Sequence, residues 1–317
     1  MKKYPLLNKG DSVEVIAPAS RCSDQHLTEL KALLTSWDLN CIVSPAIFGD
    51  DLLCANTDEM RLHLLKNALF NPDTKAVICA RGGYGCMRLM PDISQWTPPK
   101  TPKLFVGMSD ITTLNSYLQQ AWQWPVIHGA LAIDKFSAES IAALKALLFG
   151  ETEQIKFLAH PLNAAAKENR SIRAPVTGGN LCLVQASLST TWQLDGRNKI
   201  ILLEEINERG YRIDRMLEQL QQAGIFKHAA AILFGDFLEG KEPDGTSLVQ
   251  PVLERFASAS SIPVIQVSGI GHGYTNFPVP LGIPADLHLG KNAKLMISFE
   301  RCSQSPEMSS STDRQQS

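Results

Sequence analysis

LFVGMSDITTL, residues 104–114, joins an apolar run to a helical pattern through a Gly-x-Ser turn. This order predicts a buried strand, a sharp corner and then a helix, with Ser109 at the corner. A hydroxyl there can stand out of the sheet beside helix N-terminal amides, which favour developing negative charge. In the alternative interpretation Ser109 or Asp110 only caps the helix, as these residue types do at most helix starts.

The same alternation of apolar runs and amphipathic segments extends over the first half of the chain. The apolar runs are residues 13–17, 41–43, 76–80, 104–107 and 126–128, and the helical candidates are 24–37, 57–70, 110–122 and 137–149. This α/β pattern predicts an open parallel sheet with helices on both faces, and ligands of such sheets bind at the carboxyl ends of the strands. Ile111 stands where an ordinary α/β-hydrolase elbow has its second glycine, so that fold is not predicted.

The pattern changes after residue 150. Residues 1–150 are expected to form the first domain, residues 151–172 a polar interdomain linker and residues 173–302 a second, mixed domain. In the second half, strands are predicted at 199–206, 229–234, 262–267, 285–289 and 293–298, and helices at 210–223 and 247–259. Residues 303–317 are rich in Ser, Gln and charge and are expected to be a disordered tail.

Composition excludes several classes of function. The 317 residues carry 30 basic and 32 acidic side chains, which leaves no dense basic face for nucleic acid. No window approaches the roughly 20 apolar residues that span a bilayer, and no export signal is visible, so a cytoplasmic protein without a membrane partner is expected. The seven cysteines form no Cys-x-x-Cys pair, and no histidine cluster is present, so neither a metal nor another cofactor is expected.

Three further segments carry candidate residues. ARGGYG, residues 80–85, follows an apolar strand, and its glycines let backbone amides approach a ligand; the alternative is a plain tight turn. Glu204 and Glu205 end an apolar strand on opposite faces, so at most one faces a given pocket, and either can be a surface terminus. His272 lies between two glycines, where a histidine has little packing to do.

Taken in order, these segments resemble the LD-carboxypeptidase family of serine peptidases, which includes murein tetrapeptide carboxypeptidases and a microcin-immunity branch. The resemblance runs from residue 16 to about 298. Its landmarks are IAPAS (16–20), ARGGYG (80–85), GMSD (107–110), TGGNL (177–181), LEE (203–205) and GIGHG (269–273).

The resemblance implies a flavodoxin-like N-terminal domain that carries the serine and a smaller β-rich C-terminal domain that carries the other two triad residues. The family positions correspond to Ser109 as nucleophile, Glu204 as carboxylate and His272 as base. Glu205 replaces the family's usual aspartate. The implied oxyanion hole uses the backbone amides of Asp110 and Gly83.

The resemblance also implies a cytoplasmic homodimer that releases terminal D-alanine from murein tetrapeptides in peptidoglycan recycling. Arg81 and Tyr84 are candidate substrate-binding residues, although Arg81 can equally bond backbone carbonyls or cross a subunit interface. One alternative is a microcin-immunity amidase acting on aminoacyl-nucleotide analogues, for which Trp192 is a candidate pocket ring. Another is a non-catalytic protein that binds a small molecule between two lobes.

Overall fold

Residues 5–298, the part of the chain that the computed structural model describes, contain an open sheet and a closed barrel. The expected tail at 303–317 lies outside these residues. The strands are β1 (Ser12–Ile16), β2 (Asn40–Val43), β3 (Thr74–Cys79), β4 (Leu104–Val106), β5 (Val126–His128), β6 (Gln154–Pro161), β7 (Ser171–Asn180), β8 (Ile200–Ile206), β9 (Ala231–Leu238), β10 (Val264–Val267), β11 (Val279–Leu281), β12 (Pro284–His288) and β13 (Lys294–Ser298).

The helices alternate with the strands in the first half and are fewer in the second. They are α1 (Asp24–Ser36), α2 (Asp58–Phe70), α3 (Cys86–Ile93), α4 (Thr112–Gln120), α5 (Ala138–Leu148), α6 (Ala164–Lys167), α7 (Leu181–Ala186), α8 (Gly210–Gln222) and α9 (Val249–Ala259). Hydroxyl caps begin several of them; Ser23 accepts the His26 amide at the start of α1, for example. No described helix has both the length and the apolar character needed to cross a membrane.

The open sheet has the order β11-β5-β4-β3-β1-β2. β1 to β5 are parallel in the order 2-1-3-4-5, which is the flavodoxin-like arrangement. The fold-class prediction is therefore confirmed. In this order β4 and β5 are neighbours, so the segments that follow their carboxyl ends lie side by side, and one of them contains Ser109.

The barrel closes in the order β10-β6-β13-β12-β7-β8-β9. Residues 151–172 differ from the expected linker because they contain β6, which pairs with β13 on one side and β10 on the other. Only one face of β6 is buried: Phe157 is 4% exposed and its neighbour Leu158 is 76% exposed. The apolar Leu158 on the outward face interrupts the alternation of apolar and polar residues in the sequence. The proposed boundary near residue 150 stays a prediction.

The two halves share one hydrophobic core and one sheet. Phe105 and Leu114 of the first half belong to the same buried cluster as Val176 and Leu202 of the barrel. After the barrel strand β10, the chain returns to the first half, where β11 pairs antiparallel with β5 and forms the edge of the open sheet. Segments on both sides of His272 are therefore anchored, one in each half.

The β7–β8 pair yields a test of this packing. Gly178 has φ +108, and a Cβ there would lie 2.1 Å from the Leu202 carbonyl oxygen. We expect Gly178→Ala to lower the thermal unfolding temperature far more than Gly224→Ala. Gly224 also has a positive φ, +76, but a Cβ would meet nothing within 4 Å, so its substitution should cost only about 1 kcal/mol of left-handed strain. Equal shifts of the two variants in calorimetry would contradict the close strand approach.

Candidate active site

Ser109 occupies a strained corner. It has φ +63, a left-handed conformation that non-glycine residues rarely adopt, and it begins a 3₁₀ turn (Ser109–Ile111) that leads into α4. Asn115 holds the corner from α4 by donating its Nδ2 to the Gly107 carbonyl at 3.0 Å. A Cβ on Gly107 would lie 2.5 Å from the Ile111 side chain, so glycine is required two residues before the serine. This is the geometry of a nucleophile elbow.

Glu204 and His272 form a close, buried pair. Glu204 comes near the end of β8, and its Oε2 lies 2.7 Å from His272 Nδ1. The Glu204 side chain has no exposed surface, and that of His272 is 9% exposed. A carboxylate at this distance fixes the orientation of the ring and favours the tautomer whose proton is on Nδ1, leaving Nε2 as the acceptor of a proton.

Glycine makes the close approach of the His272 loop possible. Gly271 has φ +136, and a Cβ there would lie 3.0 Å from Glu204 Oε2. Asp236, on β9, accepts the Gly269 amide and so holds the start of the same loop. Burial raises the pKa of this Asp236 carboxyl, and the charge of Glu204 raises it further.

Glu205 faces the other side of β8 and contacts no histidine. Its carboxylate accepts Asn180 Nδ2 at 2.9 Å, the Cys182 amide at 2.8 Å and the Ile206 amide at 2.9 Å. It therefore fixes the end of β7 and the start of α7. Burial raises the pKa of Glu205 to about 7, in spite of these donors. Of the two adjacent carboxylates, Glu204 is the one that contacts His272.

The glycine loop lies against the elbow. A Cβ on Gly82 would be 2.7 Å from Ser109 Cβ, and a Cβ on Gly83 would be 2.5 Å from Ser20 Oγ. Ser20 holds the loop through its hydroxyl, which accepts the Tyr84 amide at 3.0 Å and donates to the Leu53 carbonyl at 3.1 Å. The loop can be this close to Ser109 only because both positions lack side chains.

The two amides expected in an oxyanion hole are available for a ligand. Within residues 5–298, Gly83 makes no hydrogen bond through its amide. The Asp110 amide is the first after Ser109 in the turn, where N–H groups have no acceptor inside the helix. The Asp110 carboxylate points away to accept the Cys86 amide at 2.8 Å, which begins α3. Burial raises the pKa of Asp110.

Arg81, Tyr84 and Trp192 lie in three different environments. Arg81 lines the cavity described below and donates Nη1 to the Arg21 carbonyl at 3.0 Å. Tyr84 is 40% exposed, interacts with Arg88 and does not line that cavity. Trp192 is buried in the shared core and does not line it either.

A cavity of about 600 Å³ connects the candidate residues. Ser109, His272, Gly82 and Gly83 line it at the carboxyl ends of the strands. Its lining also includes polar and aromatic side chains, namely Cys22, His26, Asp134, Lys135 and Phe136. In the described part of the chain, no group of three or more His, Cys, Asp or Glu is arranged to hold a metal ion.

Two further residues of this region, Ser20 and His128, were not predicted as site residues from the sequence. Ser20 ends the segment after β1, and His128 ends β5, so both stand at the carboxyl edge of the sheet where ligands bind. Their position at the end of a predicted strand or just after it was the sequence signal that could have identified them. His128 has no exposed surface, and its Nε2 lies 3.9 Å from Glu204 Oε1.

Replacing Glu205 tests its raised pKa. The folded chain holds this proton more tightly than the unfolded chain, where the pKa is near 4.5, so its contribution to stability falls as pH rises from about 4.5 to about 7. We expect the unfolding temperature of Glu205→Gln, measured beside wild type across this pH range, not to show this part of the decrease with rising pH. In the variant, the glutamine NH₂ group faces an N–H donor. This contact changes the unfolding temperature by the same amount at every pH and does not alter its pH dependence. The exposed control Glu218→Gln should follow wild type, and a pH-independent difference for Glu205→Gln would contradict the assignment.

Comparison with known proteins places this geometry in a family. The family models "LD-carboxypeptidase N-terminal domain" and "LD-carboxypeptidase C-terminal domain" match residues 13–129 and 173–287. A Rickettsia conorii protein with a provisional carboxypeptidase name is 36% identical over 296 residues, covering 91% of each chain.

Two further proteins carry more specific names. The "Probable murein peptide carboxypeptidase" of Bacillus subtilis is 32% identical over 306 residues, covering 93% of this chain and 94% of its own. The crystal structure of a muramoyltetrapeptide carboxypeptidase from Oxalobacter formigenes superposes with a TM-score of 0.77 at 27% identity, covering 92% of this chain and all of that one. The matched models and relatives span both halves and every candidate motif, so the chain belongs to the LD-carboxypeptidase family.

Proposed function

We propose that this protein is a serine LD-carboxypeptidase that releases the terminal D-alanine of murein tetrapeptides. The observation that carries the proposal is the 2.7 Å contact between Glu204 and His272 beside the cavity that Ser109 also lines. A nucleophile on a strained corner, a base and an orienting carboxylate are the components of a serine hydrolase triad. The murein substrate is that of the named relatives.

The reaction follows from the roles of the three residues. His272, oriented by Glu204, takes the Ser109 hydroxyl proton on Nε2 as the serine oxygen attacks the carbonyl before D-alanine. The tetrahedral intermediate collapses by breaking the C–N bond, and His272 gives its proton to the departing amine. Water then attacks the acyl-enzyme with His272 as base, which releases the shortened peptide and restores Ser109.

The amides of Gly83 and Asp110 are the proposed oxyanion donors. Each such donor typically contributes about 10²–10³-fold in rate because the negative charge develops only in the transition state. The Gly82–Ser109 approach brings the loop and the elbow together, and the 3₁₀ turn leaves the Asp110 amide without an internal acceptor.

Arg81 is the proposed partner of the terminal carboxylate because it lines the cavity beside the glycine loop. It already donates to the Arg21 carbonyl, which leaves its other guanidinium N–H groups for a ligand. Tyr84 interacts with Arg88 and does not line the cavity, so we do not propose a substrate contact for its ring. Asp134 and Lys135 also line the cavity and offer both signs of charge to the rest of a peptide.

The other two functions have less support. A microcin-immunity amidase was favoured by Trp192 as a ring near the site, but this side chain is 3% exposed and belongs to the core. A two-lobe binding protein needs no strained serine, whereas Ser109 has φ +63. We also propose that the protein acts in the cytoplasm as a homodimer in peptidoglycan recycling, as the family resemblance implies.

Purified protein incubated with murein tetrapeptide is expected to release D-alanine, detected by mass spectrometry. Ser109→Ala removes the nucleophile and should lower the rate at least about 10³-fold. Ser258→Ala, which alters an exposed serine that does not line the cavity, is the matched control and should retain most of the activity.

Undiminished release by Ser109→Ala would overturn the nucleophile assignment. Wild-type protein that leaves the tetrapeptide intact but cleaves an aminoacyl-nucleotide analogue would move the function to the immunity branch. Binding of the tetrapeptide without cleavage of either compound would favour the non-catalytic alternative.

Removing the Ser20 hydroxyl tests the role of the glycine loop. Ser20→Ala loses the acceptor of the Tyr84 amide, so the loop that carries Gly83 is held less firmly. We expect kcat to fall about tenfold or more with a much smaller change in KM, because the oxyanion contact is made mainly in the transition state. Ser94→Ala, at a half-buried serine that does not line the cavity, serves as control. An unchanged kcat in Ser20→Ala would contradict the proposed hole.

A further inference from the structure

His128 is a buried histidine next to the catalytic carboxylate that the proposed mechanism does not use. It ends β5 and has no exposed surface, and neither ring nitrogen has a hydrogen-bond partner in the described part of the chain. Glu204 Oε1, the oxygen that does not face His272, is likewise buried without a partner. The two unpartnered groups face each other, with His128 Nε2 at 3.9 Å from Glu204 Oε1.

The surrounding backbone is shaped to hold this ring. Gly179, at the end of β7, has φ +142, and a Cβ there would lie 3.3 Å from His128 Nδ1 and 2.5 Å from Thr112 Oγ1. The Gly179 position therefore accounts for part of the TGGNL motif, since only glycine lets β7 approach both groups. With Nδ1 against this bare backbone, Nε2 is the nitrogen that faces the carboxylate.

We propose that His128 is a positioning residue that directs its Nε2–H at Glu204 Oε1 and keeps this carboxylate ionised and oriented toward His272. The inference rests on the proposed function. A buried carboxylate with one partner is costly, and a second donor on its free oxygen lowers that cost. The 3.9 Å separation is longer than a hydrogen bond, but catalytic hydrogen bonds are often long without substrate and shorten when it binds.

The two histidines have different roles because they share one negative charge. Burial lowers the pKa of His128, the charge of Glu204 raises it, and His272 lowers it again. His128 therefore stays neutral and acts as a dipole, while His272 carries the proton taken from Ser109. Asp236 and Glu205, the other carboxyls on which Glu204 acts, both have pKa values that are raised, first by burial. A neutral donor supports the charge of Glu204 without competing for the proton.

The test compares three substitutions by the pH dependence of kcat/KM for D-alanine release. His128→Gln can keep an N–H donor at the position of Nε2, His128→Asn has its amide only near the position of Nδ1, and His128→Phe keeps a ring without a donor. Removing a dipole whose positive end faces Glu204 leaves the negative charge of this carboxylate less compensated, which increases the proton affinity of the Glu204–His272 pair. The acid limb should therefore move to higher pH in the Asn and Phe variants, by about 0.5 unit or more, and stay in place in the Gln variant.

We also expect kcat to fall about 10- to 100-fold in the Asn and Phe variants with little change in KM. A purely structural role would lower stability or kcat without moving the limb. An unmoved limb in the Asn variant, or an equal shift in the Asn and Gln variants, overturns the inference. The comparison of His128→Asn with His128→Gln decides the question even if His128→Phe does not fold. Wild-type release that Ser109→Ala abolishes keeps the proposed function standing in either case, whereas an inactive wild type contradicts that function instead.

Discussion

A carboxylate with no exposed surface is the constraint on which this structure depends. An ionised group removed from water must be compensated by nearby donors, and Glu204 has one at 2.7 Å on His272. Two bare positions let the backbone close around it, since a Cβ on Gly235 or Gly271 would lie 3.3 Å from Glu204 Cβ. The barrel therefore provides both a buried carboxylate and the space for the loop whose histidine hydrogen-bonds to it.

Much of the first half could be predicted from sequence because its signals are local. Apolar runs separated by amphipathic segments predicted β1 to β5, and the ends of α1, α2, α4 and α5 all lie within two residues of the expected bounds. The exception is α3, which is only eight residues long and contains Pro91, a residue type that seldom occurs inside helices. The Ser109 corner was also predictable, since a strand, a glycine and a helix start are adjacent in the chain.

The second half was less predictable because its pairings are distant in sequence. β6 is bordered by β13 and β10, more than 100 residues away, and only one of its faces is apolar. The choice between Glu204 and Glu205 could not be made from alternation alone, which shows that the two diverge but not which one meets His272. The role of TGGNL was invisible for the same reason: its glycines serve contacts with Leu202, Thr112 and His128.

The placement of β11 means that the open sheet is completed by a strand that is made long after its neighbour β5. A ribosome makes the Ser109 corner well before Val279–Leu281, the strand that covers the edge of β5. Until then the nascent sheet presents an open edge formed by the buried residues Val126–His128, the kind of edge that pairs with other chains. A nascent chain that has not yet reached β11 therefore contains the Ser109 corner without a finished open sheet.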